Sequence, residues 1–265
     1  MDIFKETKKF YKAADGEKCT IGKSISGRPI YAVLLGEGRP TGIAQYAIHG
    51  REWITARLAF EHFHFGLKRG SVWLIPLMNP DGALLSQRGI GSVRDEMRAA
   101  FLSGINGGTD FSLWKANAAG VDLNVNFDAD WGEGKRNVFS PAGENYIGPF
   151  PFSEPETRAL KMFTEKIRPD FTVSYHTKGE EIFNMVSHIV GGAVGITAAC
   201  GISAWRWRFQ KPRGIRWRMR REVRAGIKIG ASKNSVFPRL RWRRVRTFFP
   251  TRSEGKRSKI YGSTI

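Results

Sequence analysis

Basic residues are distributed very unevenly along this chain of 265 residues, and this limits which part of it can form a packed core. From residue 195 to 265 there are fifteen arginines, five lysines and only two acids, Glu222 and Glu254, a net charge of +18. Residues 1–194 hold 23 basic and 22 acidic side chains, a net charge of +1. In the basic segment Trp and Arg alternate, and no helical or strand periodicity persists. We therefore predict a domain at 1–194 followed by a poorly ordered Arg/Trp-rich segment at 195–265.

Strand and helix patterns alternate within the first 194 residues. Apolar runs bounded by turn signals predict four strands, at 30–35, 42–48, 71–78 and 171–175. Apolar residues at helical spacing predict three helices, at 2–14, 54–67 and 153–167. This order indicates an α/β fold with a mixed, mostly buried β-sheet flanked by helices.

The connections between these elements carry weaker signals. Thr55 is a candidate cap for the second helix, and Ser153 with Glu156 fits a capping box at the start of the third. Asn79-Pro80-Asp81-Gly82 is typical of a tight turn and receives a structural role. Residues 83–150, rich in Gly, Asn and Ser, are interpreted mostly as loops.

Cysteine use and the start of the chain bear on its location. Cys19 and Cys200 form neither a metal-binding spacing nor a disulfide framework. The first residues are charged and lack an apolar signal-peptide core, and no segment has the ~20 apolar residues that a transmembrane helix needs. We expect a cytoplasmic protein without a transmembrane segment.

Two histidines and a glutamate follow predicted strands. His49 and Glu52 lie three residues apart between a strand and a helix, and His176 ends another strand. Two histidines and one carboxylate suffice to hold a catalytic zinc and leave one coordination position for water. Taken singly, the same residues also fit a surface His–Glu pair at a helix start and a hydrogen-bonded structural histidine. His62 and His64, two residues apart on a predicted helix, are assigned structural roles.

Five segments together resemble the zinc carboxypeptidases of the carboxypeptidase A type, and they cover roughly residues 20–190. They are HGREWIT at 49–55, NPDG at 79–82, WKANAAGVDLNVNF at 114–127, SEPET at 153–157 and SYHTKGE at 174–180. The chain is most similar to bacterial members that cut γ-D-glutamyl-diaminopimelate bonds. The resemblance therefore implies a peptide or muropeptide substrate, one Zn²⁺ ion and hydrolysis by metal-activated water.

The same resemblance assigns residues to roles. It implies that His49, Glu52 and His176 bind the zinc and that Lys115 and Asn124 lie in the substrate pocket. Family members usually carry an arginine after that asparagine to clamp a substrate carboxylate, but here the residue is Val125. Lys115 remains a candidate source of positive charge, as do the loop residues Arg88 and Arg94, and Asn124 and Asn126 fit a loop-capping role equally well.

The family's general base is missing from this sequence. The family pattern places a glutamate near the C-terminus in a segment like IPSLTVE-x-G, after a tyrosine in a segment like GYKDW, and neither occurs here. Because the family's sheet needs strands encoded after residue 195, the fold is expected to be incomplete at its C-terminal side. The copy is expected to be inactive, unless Glu180 or Glu181, just after His176, acts as the base.

A shifted reading frame recovers the missing patterns. When the last base of each codon from Gly226 to Val245 is joined to the first two bases of the next, permitted codon choices spell YKDWCIQKFGIPSLTVEAG. The glutamate codon then straddles Trp242 and Arg243. We therefore hypothesise that the reading frame slips near Gly195.

A binding module is the alternative function. Four tryptophans interleaved with arginine could stack on bases beside phosphate-neutralising charges: Trp205, Trp207, Trp217 and Trp242. The same segment could lie on an anionic membrane surface. Any segment with a charge of +18 binds nucleic acid weakly and nonspecifically, so such binding would not establish a function. For the carboxypeptidase-like protein we expect no specific nucleic-acid partner.

Overall fold

The computed structural model describes residues 2–177 together with the backbone of three further strands, at 181–185, 194–199 and 216–218. The chain divides into two units, 1–231 and 232–265, and every described residue belongs to the first. The tryptophan-rich binding segment, apart from the backbone of these last two strands, lies outside the described residues.

Helices and strands alternate along the described chain. The helices are α1 (Ile3–Ala13), α2 (Thr55–Phe65), α3 (Pro80–Arg88), α4 (Glu96–Asn106) and α5 (Pro155–Ile167). The strands are β1 (Lys18–Lys23), β2 (Pro29–Glu37), β3 (Thr41–Tyr46), β4 (Gly70–Ile75), β5 (Phe171–His176), β6 (Glu181–Met185), β7 (Val194–Ala199) and β8 (Arg216–Arg218). Short 3₁₀ turns cover Gly50–Glu52, Gly89–Ser92 and Leu123–Val125.

One mixed sheet joins the eight strands in the order β1-β2-β4-β3-β5-β7-β6-β8. β4, β3, β5 and β7 run parallel to one another, whereas β1 and β2 pair antiparallel at one side. The chain leaves β3 toward β4 on one side and later returns to β5 on the other. Such a reversal opens a crevice at the carboxyl ends of the strands, where α/β proteins bind ligands.

The two faces of the sheet are covered by different helices. On one face Ala159, Leu160 and Phe163 of α5 pack in a cluster with strand residues that include Ile43 and Trp73. On the other face Ala59 of α2 packs with strand residues whose side chains point to the opposite side of the sheet from those of Ile43 and Trp73. They are Ala44, Tyr46, Leu74 and Val173. The predicted α/β fold, with a mixed, mostly buried sheet between helices, is confirmed.

Two predicted helix caps are wrong. The N-cap position of α2 is Ile54, whose side chain makes no cap hydrogen bond, and Thr55 is instead the first helical residue. The N-cap of α5 is Glu154, and the Ser153 hydroxyl donates to that side chain at 2.8 Å. With Glu154 as the N-cap, Glu156 is the second helical residue and not the third, so it does not complete a capping box, and its carboxyl accepts from the distant Ile25 amide at 3.1 Å. Buried tertiary contacts have displaced the local ones.

The NPDG segment starts a helix rather than forming an isolated turn. Asn79 is the N-cap of α3, its side chain accepts from the Gly82 amide, and Pro80 takes the first helical position. Its structural role is otherwise as expected. Residues 83–150 are mostly loops, as interpreted, but they also contain α4 and most of α3, which were not predicted, and neither was β1.

None of the helices in the described part of the chain is long and apolar enough to cross a membrane.

Candidate metal centre

The parallel pairing of β3 and β5 brings two distant parts of the sequence to one sheet edge. Tyr46, at the end of β3, lies opposite Tyr175, and His176 is the last residue of β5. His49 follows β3 by three residues and leads into the 3₁₀ turn that contains Glu52. The topology alone therefore places the three predicted ligands together.

Backbone contacts fix the turn that carries His49 and Glu52. The Gly50 amide donates to the Lys115 carbonyl at 2.9 Å, and the Arg51 amide donates to the Trp114 carbonyl at 2.7 Å. Only glycine fits at position 50, since a Cβ there would lie 2.5 Å from the Gly82 carbonyl oxygen. The Thr55 hydroxyl closes the turn, accepting from the Ala47 amide at 2.8 Å and donating to the Glu52 carbonyl at 2.9 Å.

The three side chains form one buried cluster. Nδ1 of His49 lies 3.1 Å from one oxygen of Glu52, and Nδ1 of His176 lies 2.9 Å from the other. The two Nδ1 atoms are 3.2 Å apart. One ligand atom from each residue lies within 4.8 Å of the other two, and all three residues are buried. The surface His–Glu alternative is therefore wrong for His49 and Glu52.

Two further residues hold the outer nitrogens of the histidine rings. Nε2 of His49 lies 3.4 Å from Oδ1 of Asp122, and Nε2 of His176 lies 3.1 Å from the Ser174 hydroxyl. Asp122 is itself fixed, because its carboxylate accepts from the amides of Asn124 and Asn145 at 3.1 and 3.0 Å. Partners of this kind fix the tautomer and orientation of metal-binding histidines.

The electrostatics of the cluster favour positive charge. Burial alone would lower the pKa of His49, but the charge and hydrogen bonds of Asp122 and Glu52 raise that pKa to about 9. Burial alone would raise the pKa of Glu52, but hydrogen bonds to His176 and His49 lower it to about 2. The pKa of Asp122 is also held far below its usual range, against the effect of its burial, mainly by His49.

These observations fit a bound cation. Two ring nitrogens and a carboxylate converge, and the second nitrogen of each ring already has a partner. Two Nδ1 lone pairs at 3.2 Å would repel each other unless a proton or a metal ion lay between them. Two histidines and one glutamate are a protein ligand set of catalytic zinc sites with a free coordination position.

The predicted pocket residues occupy different positions. Lys115 belongs to the segment that hydrogen-bonds the His49–Glu52 turn, and its Nζ lies 3.0 Å from Glu144. Asn124 is half-buried and contributes its backbone amide to Asp122. Arg88 pairs with Asp2 beside α1 at 3.0 Å, and Arg94 is exposed.

Two other polar residues have structural roles. Asn126 is fully buried, and its side-chain amide nitrogen lies 2.8 Å from the Ile147 carbonyl while its oxygen accepts from the Thr157 hydroxyl at 2.8 Å. Loop capping is therefore the role that its geometry supports. His62 hydrogen-bonds the Tyr46 hydroxyl at 2.7 Å, and burial lowers its pKa to about 4.

Two histidines and a glutamate at the carboxyl ends of parallel strands define an α/β protein with a candidate metal centre. The chain belongs to the zinc carboxypeptidase family, whose model matches residues 16–191. The family resemblance of the sequence is thereby confirmed.

The relatives include an endopeptidase and a murein peptide amidase. The chain is 29% identical over 182 residues to γ-D-glutamyl-L-diamino acid endopeptidase 1 of Lysinibacillus sphaericus, covering 62% of this chain and 46% of that protein. It is 32% identical over 167 residues to murein peptide amidase A of Escherichia coli, covering 58% and 57%. An uncharacterised Bacillus subtilis protein, YqgT, is 32% identical over 206 residues, covering 68% and 54%. The chain thus spans about half the length of the curated relatives it matches.

Solved structures share the fold. Bovine thrombin-activatable fibrinolysis inhibitor aligns with a TM-score of 0.51 at 22% identity, over 68% of this chain and 60% of that one. Carboxypeptidase A of Helicoverpa armigera aligns with the same TM-score and identity, over 68% of this chain and 45% of the other.

Proposed function

We propose that the chain binds one zinc ion through Nδ1 of His49, a carboxylate oxygen of Glu52 and Nδ1 of His176. The observation that carries this proposal is the convergence of three buried ligand atoms within 4.8 Å, from the ends of two parallel strands. A bound zinc polarises a peptide carbonyl and lowers the pKa of a coordinated water toward neutrality.

The chain's own residues prepare the site for that chemistry. Asp122 and Ser174 hold the outer nitrogens of His49 and His176, which leaves both Nδ1 lone pairs directed at the cluster. Lys115 supplies positive charge at the edge of the substrate pocket. Asn124 borders the same pocket, and its backbone amide donates to Asp122, which holds this loop in place.

The proposed substrate is a peptide, with muropeptides as the favoured class. This rests on the names of two relatives, a γ-D-glutamyl-L-diamino acid endopeptidase and a murein peptide amidase. The cytoplasmic location expected from the sequence stays a prediction.

We infer that this copy has little or no peptidase activity. The family's mechanism needs a glutamate to take a proton from the attacking water, and the segment expected to carry it is absent. Glu222 and Glu254 lie outside the described residues. Glu180 does so too, and Glu181 begins β6, of which only the backbone is described.

Zinc binding by the 265-residue chain tests the proposal. We expect one zinc per chain by elemental analysis and a Co²⁺ absorption spectrum typical of a low-symmetry site. His49→Ala and His176→Ala should each abolish both signals, and Asp122→Asn should weaken zinc binding about 10- to 100-fold. His64→Ala, which removes an exposed histidine of α2, is the matched control. Undiminished binding in both ligand variants would show that the metal lies elsewhere.

Hydrolysis is measured separately with the tripeptide L-Ala-γ-D-Glu-L-Lys. The zinc-loaded chain should leave it intact over hours, as judged by mass spectrometry. Rapid cleavage would contradict the inactivity of this copy. In that case, loss of hydrolysis in Glu181→Gln would show that Glu181 has replaced the missing base.

A further inference from the structure

One exposed carboxylate is shared by two cations beside the candidate metal centre. Oε2 of Glu144 lies 3.0 Å from Nζ of Lys115 and 3.9 Å from Nη1 of Arg51. The Glu144 side chain is 52% exposed, whereas those of Lys115 and Arg51 are 18% and 27% exposed. The two cations are therefore held in place by the protein, and their counter-ion is open to solvent.

Backbone hydrogen bonds fix the positions from which the two cations extend. Arg51 lies within the turn between His49 and Glu52, and its amide donates to the Trp114 carbonyl at 2.7 Å. The amide of Lys115 donates to the Gly143 carbonyl at 2.9 Å, next to Glu144. The cation pair is thus tied to the same turn as two proposed zinc ligands.

The ion pair at Glu144 is of a kind that a ligand can replace. An exposed carboxylate gains little from such a contact, because water screens the charges and the side chain loses rotational freedom. A ligand carboxylate could take the place of the Glu144 carboxylate between the Lys115 ammonium and the Arg51 guanidinium, and arginine suits carboxylates particularly well.

We propose that Glu144 is an internal counter-ion that occupies the Lys115–Arg51 pair in the substrate-free protein and yields it to a carboxylate of the bound peptide. This inference rests on the proposed function and deepens it, because it assigns a residue that sets substrate specificity. The ligand class is a peptide with a free carboxylate beside the scissile bond. A γ-linked glutamyl residue has one, since its α-carboxylate is not used in the chain, whereas an α-linked peptide has none there.

Competition with Glu144 has a measurable consequence. Removing its charge should strengthen binding of the peptide that carries a free glutamyl α-carboxylate and leave the matched peptide without that carboxylate unaffected. The probes are L-Ala-γ-D-Glu-L-Lys and its analogue with the glutamyl α-carboxylate converted to a carboxamide. Both are titrated calorimetrically into the zinc-loaded, 265-residue chain, and the integrity of each peptide is checked afterwards.

We expect Glu144→Gln to bind the acid about two- to fivefold more tightly than the native chain, the range set by exposed ion pairs. Lys115→Met should lose about tenfold in affinity for the acid, and Lys115→Arg should recover most of it. Glu165→Gln, which removes an exposed charge on α5, is the control for net charge and should match the native chain.

The outcomes separate this inference from the proposed function. Equal binding of acid and amide, or no gain in Glu144→Gln, overturns the role of Glu144 while zinc binding and the peptide substrate stand. An equal gain in Glu165→Gln also overturns it, because the effect is then one of net charge alone. If no variant binds either peptide although zinc is bound, the muropeptide class fails and this inference fails with it.

Discussion

Glu156 is a fully buried acid that plays no part in the metal centre. Its carboxyl accepts from the Ile25 amide at 3.1 Å and lies 3.4 Å from the Asn117 side-chain nitrogen. Burial raises its pKa to about 8, and two neighbouring acids, Asp81 and Glu154, add to the effect. Arg28 pairs with Asp81, which leaves Glu156 without a charge partner of its own among its described contacts.

This raised pKa predicts how stability varies with pH. Between about pH 4.5 and pH 8 the unfolded chain releases the Glu156 proton while the folded chain keeps it, so the contribution to stability falls as pH rises. Glu156→Gln, which imitates the protonated acid, should match the native chain near pH 5 and exceed it near pH 8. The expected difference in unfolding free energy is on the order of 3 kcal/mol.

Urea unfolding at several pH values, followed by tryptophan fluorescence, measures this difference. Glu165→Gln, an exposed glutamate on α5, supplies the control and should show no such trend. Parallel stability curves for the native chain and Glu156→Gln would show that the acid is already ionised in the folded protein.

Residue by residue, the sequence identified the atoms that could bind a metal but not those that orient them. His49, Glu52 and His176 could be named because each follows a strand signal within a family-like segment. Asp122 was missed, although it lies inside one of those segments, because an aspartate in a Gly- and Asn-rich stretch has the signature of a turn. Only the fold shows that it contacts a histidine distant in sequence.

At the level of elements, Asn79 connects three parts of the chain. Its side chain caps α3 by accepting from the Gly82 amide at 2.9 Å. Its amide nitrogen donates to the carbonyls of Ile48 and Ala116 at 3.1 Å each. The cap therefore also fixes the residue before His49 and the 114–116 segment beside the His49–Glu52 turn.

Replacing this cap should cost far more than replacing an ordinary one. Asn79→Ala leaves buried carbonyls without a donor, so we expect a loss of about 3 kcal/mol in unfolding free energy. Asp95→Ala removes the exposed cap of α4 and should cost about 1 kcal/mol. Chemical denaturation of both variants gives the comparison. Equal losses would mean that Asn79 acts as a cap only.

Which elements could be predicted depended on how deeply they are buried. β3 and β4 lie inside the sheet and are buried on both faces, so their strand-like runs stand out in the sequence. β1 is a half-buried strand with the sequence KCTIGK, and its buried and exposed residues do not alternate regularly. Among the residues of α4 only Leu102 is buried, which left too few apolar positions to reveal a helical period.

For the molecule as a whole, the charge break and the family match coincide. The family model ends at residue 191, and the balanced part of the sequence ends near residue 194. The frame slip that we hypothesise near Gly195 would account for both, and it would also account for the recoverable glutamate pattern. A binding segment selected for function would have no reason to encode that pattern in a second frame.

Sequencing the gene across the codons for residues 185–205 tests this account. We expect an inserted or missing base whose correction restores the GYKDW and TVE segments. The corrected protein should hydrolyse the γ-glutamyl tripeptide about 10²- to 10⁴-fold faster than the present chain. This range is the usual contribution of a general base. Changing the restored glutamate to glutamine should remove that gain while leaving zinc bound. If the present sequence is confirmed and no frame encodes the missing segments, the chain is a relative that has lost its base by divergence.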